Sequence, residues 1–574
     1  MKRKLEGIGN MDYKEKADFW LSCNGLDKQF RAQIKNMDDE ELKEAFTEDL
    51  EFGTGGIRGI MGPGTARLNI YNIRKATLGF GRYLIKNVKK ALKRGVAISF
   101  DNRHNSKEFA NEAAHVLTSL GFAKVFVYNT LRPTPQLSWT VRHLECAGGI
   151  MITASHNPKE YNGFKAYNED GCQLQPFEAD EVIKEINAID NVFTIKYSEG
   201  WKNVHYLYDE LDGPYLDDIA GVRLNKDVDK KFLITYTPLH GTGSVYIPRF
   251  LQDMGYNVRP VMEQMTPDPD FTYAESSNPE NKDAFNKSIK YGTEIGARLL
   301  LASDPDADRL GCGVLHNGQY VLLTGNEMAT ILFNYICENK KKMDPKWPKN
   351  GYMVTTIVSS QMAAKVAEKY GIETVNVLTG FKFIAGVIKT RENKGDYVFG
   401  YEESYGCLVD TNIRDKDSAQ ACLLLCEAAA YYLEQGKDLV DVLEDLYKEY
   451  GYYRDTISNI YLEGLDGKEK MKTIMDFFRN EKELKFGSFN VVCREDYQTH
   501  EGIDFRTGKT YKLTLPTSNV LRYVFDNGSW FVLRPSGTEP KIKIYTEGIA
   551  DSYENADKLC KDIQNAVLEV VNRQ

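Results

Sequence analysis

The sequence predicts an α/β protein of several domains with a smaller α+β domain at its C-terminal end. A chain of 574 residues is too long for one hydrophobic core. Strand-like apolar runs alternate with helical segments three times before residue 455, which is typical of mostly parallel sheets covered by helices. Beyond residue 455 the strands are grouped between two helices. We therefore expect three similar αβ domains at 1–205, 206–325 and 326–455 and an α+β domain at 456–574.

In the first domain the apolar run Val96–Phe100 predicts a buried strand, followed by a helix over 107–120 with Ser106 as its N-cap. The loop between them contains Asp101 and Arg103, for which structural and active-site roles both stay open. The remaining elements follow from the same period rules. The expected strands include Lys124–Tyr128, Ile150–Ile152, Phe232–Tyr236, Arg298–Ala302, Tyr352–Val358, Thr374–Leu378 and Val398–Tyr401, and the expected helices include 73–93, 326–339, 419–434, 467–480 and 551–572.

A polar loop follows the short apolar strand Ile150–Ile152 and contains Ser155. Pro158 lacks a backbone donor and disfavours helix at Asn157, so Ser155 lies in a non-helical loop at a strand end. Such strand ends are where open α/β sheets bind ligands. An esterase elbow is excluded because Thr153 and Asn157 replace the two glycines that this motif requires around the serine.

Three carboxylates, Asp304, Asp306 and Asp308, alternate along the loop that follows the expected strand Arg298–Ala302. In an extended loop this spacing lets them converge on one hard cation. An EF-hand is excluded because Arg309 stands where its sixth position requires glycine.

Near the C-terminus, the segment Arg534–Lys543 combines a glycine, two hydroxyl side chains and two cations. Exposed backbone amides, hydroxyl donors and fixed positive charge are what an anion-binding loop requires. A nucleotide-binding loop is excluded at Gly508-Lys-Thr510, because Ile503 stands where the first glycine of that motif belongs.

Composition excludes several classes of protein. The net charge of -9 argues against general nucleic-acid binding. Residues 1–6 lack the apolar core of a secretion signal, and no apolar run is long enough to cross a membrane. The ten cysteines form no C-x-x-C pair, which fits free thiols in a reducing compartment. A cytoplasmic protein that binds neither nucleic acid nor membranes is expected.

Several of these motifs resemble those of the α-D-phosphohexomutases. The resemblance covers Thr-Ala-Ser-His-Asn-Pro at 153–158 with Asn-Gly-Phe-Lys at 162–165, and Asp-Pro-Asp-Ala-Asp-Arg at 304–309. It continues in Phe-Gly-Thr at 52–54 with Arg58, Thr-Gly-Phe-Lys at 379–382, Glu-Glu-Ser at 402–404, Lys416 and the loop 534–543. The chain is most similar to the phosphoglucomutase branch, including phosphopentomutase-like members.

The resemblance implies four domains around a central cleft, and a reaction that interconverts glucose 1-phosphate and glucose 6-phosphate through a phosphoserine and a glucose 1,6-bisphosphate intermediate. It also implies Mg²⁺ as cofactor, glucose 1,6-bisphosphate as activator and phosphoryl donor, small-molecule sugar phosphates as partners, and a monomer or weak dimer. The implied site residues are catalytic Ser155, Lys165, Lys416, Arg58, Arg309 and His156; metal-binding Ser155, Asp304, Asp306 and Asp308; substrate-binding Thr379, Gly380, Lys382, Glu402 and Ser404; and phosphate-binding Arg534, Ser536, Gly537, Thr538 and Lys543.

Other reactions remain open on the sequence. Phosphomannomutase, phosphopentomutase and hexose bisphosphate synthase activities would use the same motifs. A metal-dependent phosphatase would use the same phosphoserine with water as the acceptor. The sequence alone does not determine the preferred sugar, the oligomeric state or the pathway.

Overall fold

The computed structural model describes residues 11–53, 55–197, 200–462, 467–481, 485–536 and 541–573. Its helices are α1 Tyr13–Ser22, α2 Lys28–Asn36, α3 Asp39–Phe46, α4 Ile70–Asn87, α5 Ala91–Arg94, α6 Ser106–Ser119, α7 Thr134–His143, α8 Pro176–Asn187, α9 Asp212–Ala220, α10 Ile247–Asp253, α11 Asn286–Ile295, α12 Gly325–Met343, α13 Met362–Tyr370, α14 Phe381–Thr390, α15 Ser418–Leu433, α16 Leu439–Tyr450, α17 Gly467–Asn480 and α18 Tyr553–Val571. Its strands are β1 Gly56–Ile60, β2 Val96–Phe100, β3 Val125–Tyr128, β4 Gly148–Ile152, β5 Tyr161–Tyr167, β6 Val204–Leu207, β7 Leu233–Thr237, β8 Asn257–Pro260, β9 Leu299–Ser303, β10 Leu310–His316, β11 Gln319–Leu323, β12 Tyr352–Thr356, β13 Glu373–Val377, β14 Tyr397–Glu402, β15 Gly406–Leu408, β16 Tyr452–Tyr461, β17 Val491–Asp496, β18 Glu501–Asp504, β19 Lys509–Lys512, β20 Leu521–Phe525, β21 Trp530–Pro535 and β22 Lys541–Ala550.

The first sheet has six strands in the order β1-β5-β4-β2-β3-β6. Its β4, β2, β3 and β6 run parallel, whereas β1 and β5 join antiparallel at one edge. The fully buried strands β2 and β4 are apolar or glycine at every position but Ser99, as expected for strands covered on both faces. Strand β6 carries this sheet to Leu207, two residues past the expected domain boundary at 205.

The predicted N-cap of α6 is wrong. The helix begins at Ser106 itself, and its N-cap is Asn105, which has a left-handed φ of 62° and makes no side-chain cap bond. The Ser106 hydroxyl instead donates a 2.8 Å hydrogen bond to Asp101 Oδ1. A buried carboxylate that needs donors has therefore displaced the local capping interaction that the sequence favoured.

The second sheet has the order β11-β10-β9-β7-β8. The strands β9, β7 and β8 are parallel, and β10 and β11 continue as an antiparallel meander. The mixed character of both sheets arises because a helical crossover returns the chain in parallel, whereas a short turn returns it antiparallel.

Residues 324–450 supply the parallel pair β12–β13 and the antiparallel hairpin β14–β15. The C-terminal region differs, because its seven strands form an antiparallel sheet in the order β16-β22-β21-β20-β17-β18-β19. An aromatic-rich core between this sheet and helices α17 and α18 includes Phe478, Phe486 and Phe531. This sheet starts with β16 at Tyr452, slightly before the expected boundary at 455.

The chain packs into two compact units. The first comprises residues 1–328, 381–393 and 399–438, and the second comprises residues 329–380, 394–398 and 439–574. In the first unit, an extensive apolar core lies between the six-stranded sheet and the helices α4, α6 and α8. Among the described residues, no helix is both long enough and apolar enough to span a bilayer.

Candidate active site

Ser155 lies in the loop that follows β4, with a backbone conformation that is rare for a residue with a side chain. Its φ is 52°, in the left-handed region, and the residue is buried. Thr153 Oγ1 accepts a 2.8 Å hydrogen bond from the Ser155 amide and donates a 2.6 Å hydrogen bond to Asp101 Oδ2. Local side-chain bonds therefore hold this strained turn.

Arg103 holds the same loop through hydrogen bonds to its backbone carbonyls. Its Nη2 donates to the carbonyl oxygens of Ser155, at 2.6 Å, and Asn157. Its Nη1 donates to the carbonyl oxygens of Pro158, at 2.8 Å, and Tyr161, at 3.0 Å. The planar guanidinium thus donates hydrogen bonds to four backbone carbonyls of one loop. Lysine could not replace it, because its donors all lie on a single nitrogen.

The three carboxylates follow strand β9 and face Ser155. Asp304, Asp306 and Asp308 are almost completely buried, and each offers an oxygen within 4.8 Å of the others. Ser155 Oγ donates a 2.7 Å hydrogen bond to Asp304 Oδ2. The loops after β4 and β9 therefore bring a serine hydroxyl against a cluster of negative charge.

Burial and mutual repulsion make this cluster electrostatically costly. Burial, together with the neighbouring Asp306 and Asp308, raises the pKa of Asp304 well above its usual range. Burial opposes ionisation of Asp306 too, but the Lys165 ammonium lies 2.6 Å from Asp306 Oδ2 and holds the pKa of that carboxyl below its usual range. Lys165 Nζ also lies 3.4 Å from Asp308 Oδ2, so one buried cation serves two carboxylates.

Lys416 is a second buried cation beside the cluster. Its Nζ lies 3.1 Å from Asp308 Oδ2, 3.3 Å from Asp415 Oδ1 and 4.0 Å from Glu402 Oε2. Although burial favours the neutral amine, these carboxylates raise the pKa of Lys416. Gly406 makes room for this side chain, since a Cβ there would lie 2.0 Å from Lys416 Cδ.

The donor set fits a divalent cation. Asp306 Oδ1 and Asp308 Oδ1 are buried and have no hydrogen-bond partner in the described part of the chain. Buried carboxylate oxygens without donors are unfavourable unless a cation binds them. Three carboxylates with all-oxygen donors match the preference of Mg²⁺.

Two further residues expected at the site lie against the serine loop. Arg58 Nη1 donates a 2.7 Å hydrogen bond to Asn157 Oδ1. His156 Nδ1 lies 3.2 Å from Ser155 Oγ. Shielding from water and the nearby cations Arg309 and Arg58 hold the pKa of His156 well below its usual value, so the ring is neutral.

Four successive stretches of the chain match one known family. Sequence models of the phosphoglucomutase/phosphomannomutase family match the chain four times. The matches are alpha/beta/alpha domain I at residues 49–193, domain II at 213–317, domain III at 324–450 and the C-terminal domain at 489–566. The chain belongs to the phosphoglucomutase/phosphomannomutase family.

Full-length relatives agree with this assignment. A phosphoglucomutase from Staphylococcus epidermidis is 36% identical over 541 residues, covering 93% of this chain and 96% of the relative. A phosphoglucomutase from Staphylococcus aureus is 36% identical over 535 residues, covering 92% and 94%. Members of this family are isomerases that transfer a phosphoryl group within a sugar phosphate, and this chain is such a phosphohexomutase.

Solved structures share the fold. Paramecium parafusin, a phosphoglucomutase in an open form, aligns with a TM-score of 0.66 at 19% identity, covering 91% of this chain and 95% of the other. An N-acetylphosphoglucosamine mutase from Aspergillus fumigatus aligns with a TM-score of 0.51 at 14% identity, covering 91% and 96%. The family architecture of three α/β domains with mixed, mostly parallel sheets and a C-terminal domain with an antiparallel sheet is therefore confirmed.

The expected sugar-binding residues of the phosphohexomutase lie at strand ends, in a turn and at the start of a helix. In the first unit, Glu402 ends β14 and is buried near Lys416, Ser404 lies in the β14–β15 turn, and Lys382 lies in the first turn of α14. In the second unit, Thr379 and Gly380 follow β13, and Gly380 has a φ of 118° that favours glycine.

The expected phosphate-binding loop lies in the second unit, between β21 and β22. Arg534 and Lys543 are direct cross-strand neighbours, so two cations lie side by side at this end of the hairpin. The Ser536 amide donates a 2.8 Å hydrogen bond to the Lys541 carbonyl, which closes the hairpin. Gly537 and Thr538 lie outside the described residues.

Several residues support the site in ways that the sequence did not reveal. Thr153 and Glu280 are the clearest, since Thr153 caps the Ser155 turn and Glu280 accepts a hydrogen bond from Arg309 Nη1. Arg103, which the sequence left open, now has a structural explanation in its four carbonyl contacts. The available signal was an arginine two residues after an aspartate, directly behind an expected buried strand, but the partners of Arg103 lie more than fifty positions away.

Proposed function

We propose that this phosphohexomutase interconverts glucose 1-phosphate and glucose 6-phosphate through a phosphoserine at Ser155 and a glucose 1,6-bisphosphate intermediate. The observation that carries the proposal is the 2.7 Å contact between Ser155 Oγ and Asp304 Oδ2, at the edge of a buried three-carboxylate cluster. The phosphoglucomutase relatives at 36% identity favour glucose over other sugars.

In the forward half-reaction, a sugar hydroxyl oxygen attacks the phosphorus carried by Ser155. The new sugar O–P bond forms as the P–Oγ bond breaks. The hydroxyl proton passes to the Lys416 amine, which gives its own proton to Asp415 Oδ1, 3.3 Å away, and Ser155 Oγ takes up a proton as it leaves. Lys165 and Arg309 offer fixed positive charge to the phosphoryl oxygens during transfer. The bisphosphate then turns around, and its other phosphoryl group returns to Ser155 Oγ, which leaves the isomerised monophosphate.

Magnesium is the proposed cofactor. Asp304, Asp306 and Asp308 would hold it together with an oxygen carried by Ser155, and bound Mg²⁺ supplies Lewis-acid stabilisation of phosphoryl charge. The A. fumigatus mutase with the same fold was solved with GlcNAc-6P and magnesium. Glucose 1,6-bisphosphate is the proposed activator, because it can phosphorylate a Ser155 that has lost its phosphoryl group.

Substrate recognition is proposed to use two groups of residues. Glu402 and Ser404 would bind vicinal sugar hydroxyls, since a carboxylate accepts and a hydroxyl donates hydrogen bonds, together with Thr379, Gly380 and Lys382. Arg534, Ser536, Gly537, Thr538 and Lys543 would bind the phosphate that is not reacting. Donors aimed at phosphate suit a site that must accept its substrate in both orientations.

We further propose a cytoplasmic enzyme that acts on small sugar phosphates as a monomer or weak dimer. All ten cysteines are free, and eight of them are buried, which fits a reducing compartment. Light scattering of the purified protein, at concentrations around those in the activity assay, measures the oligomeric state directly.

The central test is Ser155→Ala. Purified wild-type protein should contain a phosphorylated fraction by intact mass, and this fraction and the mutase activity should both disappear in the variant. Ser119→Ala is the matched control, because Ser119 lies on the exposed end of α6 and its hydroxyl donates only to the His115 carbonyl. Near wild-type turnover by Ser155→Ala would refute the phosphoserine assignment.

Substrate identity requires a separate measurement. Turnover of glucose 1-phosphate, mannose 1-phosphate and ribose 1-phosphate under equal conditions should give the highest kcat/KM with glucose 1-phosphate. A higher value with either of the other sugars would reassign the substrate while leaving the phosphoserine chemistry intact.

A further inference from the structure

Thr134 donates hydrogen bonds to the carboxylate loop, residues 304–309, from both its backbone and its side chain. Its amide donates a 2.9 Å hydrogen bond to the Asp306 carbonyl, and its hydroxyl donates a 2.7 Å hydrogen bond to Asp306 Oδ2. Both residues are completely buried. No motif of the resemblance includes Thr134, and it comes from a segment 172 positions before its partner.

The first of these bonds follows from the position of Thr134 in its helix. Thr134 is the first residue of α7, where backbone amides have no partner inside the helix. Pro135, the next residue, has no amide hydrogen at all. The N-terminal end of α7 therefore presents one strong donor and the positive end of the helix dipole to the loop that carries Asp306.

The hydroxyl bond decides which oxygen of Asp306 is free. Oδ2 accepts from Thr134 Oγ1 and from Lys165 Nζ, 2.6 Å away. Oδ1 is buried and has no hydrogen-bond partner among the described residues. Two donors on one oxygen fix the rotation of the carboxylate and leave the other oxygen as the one available to a cation.

We propose that Thr134 is a positioning residue that orients Asp306 for metal binding. The inference rests on the proposed function only in that the Asp304–Asp306–Asp308 cluster binds a divalent cation. Partners of this kind, one shell outside a ligand, typically change metal affinity by about 10–100-fold when removed. The hydroxyl of Thr134 thus couples the first α/β domain to the ion held by the second.

The experiment compares Thr134→Val with Thr134→Ser in the full-length protein. Valine keeps the shape but removes the hydroxyl, and serine keeps the hydroxyl but removes the methyl group. Mn²⁺ binding to protein freed of metal by chelator, followed by electron paramagnetic resonance, should show a Kd about tenfold or more higher for valine. The serine variant should remain within a few-fold of wild type.

A matched control separates positioning from general damage to the helix. Thr140→Val makes the same change on the same helix, where the buried hydroxyl donates to the Gln136 carbonyl rather than to the carboxylate loop. It should leave the Mn²⁺ Kd unchanged even if the unfolding temperature falls. Raised Mg²⁺ should also restore the kcat of Thr134→Val, as expected when the defect lies in metal affinity.

Asp306→Asn distinguishes the possible failures. If this variant loses Mn²⁺ binding while Thr134→Val binds as tightly as wild type, the positioning role is refuted and the metal site stands. If wild type and Asp306→Asn bind Mn²⁺ equally, the carboxylate cluster is not the metal site, and both this inference and the proposed cofactor fail. Should Thr134→Val not fold, Thr134→Ala with the same measurements replaces it.

Discussion

Removing the Lys165 ammonium should destabilise the metal-free protein far more than removing a surface lysine that has an equally short ion pair. Lys165 Nζ lies 2.6 Å from Asp306 Oδ2, with side-chain exposures of 11% and 0%. Lys184 Nζ lies 2.6 Å from Glu181 Oε1, with exposures of 70% and 37%. The two pairs therefore share a distance and differ in their access to water.

The magnitudes follow from burial. Breaking a buried ion pair from one side typically costs about 3–5 kcal/mol, because the remaining charge is left buried without a partner. An exposed pair contributes about 0–1 kcal/mol, because water and salt screen it. Lys165→Met should fall in the first range, and since Lys165 also neighbours Asp308, the upper part of that range is expected. Lys184→Met should fall in the second range.

The assay is native-state hydrogen exchange in increasing urea with chelator present, read from the amides of β4 and β9. These strands flank the carboxylate cluster, so their opening free energies report on its stability. The double variant Lys165→Met/Asp306→Asn should lose less than the sum of the single changes, because the asparagine no longer needs a cation. Equal losses for Lys165→Met and Lys184→Met would refute the argument that burial decides the value of this pair.

Three further outcomes are expected. Burial raises the pKa of Glu547 to about 7, whereas the pKa of a glutamate in an unfolded chain is about 4. Between these two pH values the folded protein binds a proton that the unfolded chain has lost. The free energy of unfolding of the C-terminal sheet should therefore fall as pH rises from about 4 to 7. Glu547→Gln should remove this pH dependence, measured by hydrogen exchange. Gly406→Ala should displace Lys416 and lower kcat by up to about 100-fold, whereas Gly213→Ala, with nothing within 4 Å of its new Cβ, should leave kcat unchanged. Arg534→Ala should raise KM by about tenfold or more and increase the ratio of free phosphate to isomer; an unchanged ratio and KM would show that this loop does not bind the distal phosphate.

Much of the fold could be predicted because its elements carry local signals. The strand Val96–Phe100 was predicted to the residue, since four of its five residues are apolar, and helix 467–480 was predicted to the residue as well. The expected helix over 73–93 instead begins at Ile70, pauses after Asn87 and resumes as α5. Its apolar spacing continued across a break that only the backbone reveals.

The candidate site divides in the same way. Ser155 and the carboxylate loop stand in contiguous motifs, so their chemistry could be proposed from the chain alone. Thr134 contacts Asp306 across 172 positions of sequence, and Arg103 contacts the loop of Ser155 across 52 or more. No local sequence pattern encodes contacts between such distant segments. The prediction that Ser106 caps α6 was wrong for a related reason, because the Ser106 hydroxyl donates its hydrogen bond to Asp101 instead.

The first compact unit is assembled from separated stretches of chain, since it contains residues up to 328 and then 381–393 and 399–438. Proteins are synthesised from the N-terminus, and domains commonly fold as they emerge. A nascent chain released before its last stretch would carry the complete carboxylate cluster and Lys165 but not Lys416, which lies 3.1 Å from Asp308 in the finished protein. The ribosome therefore delivers the negative charges of the site more than a hundred residues before their second buried counter-ion, so quality-control proteases would meet an incompletely neutralised centre in any prematurely terminated product.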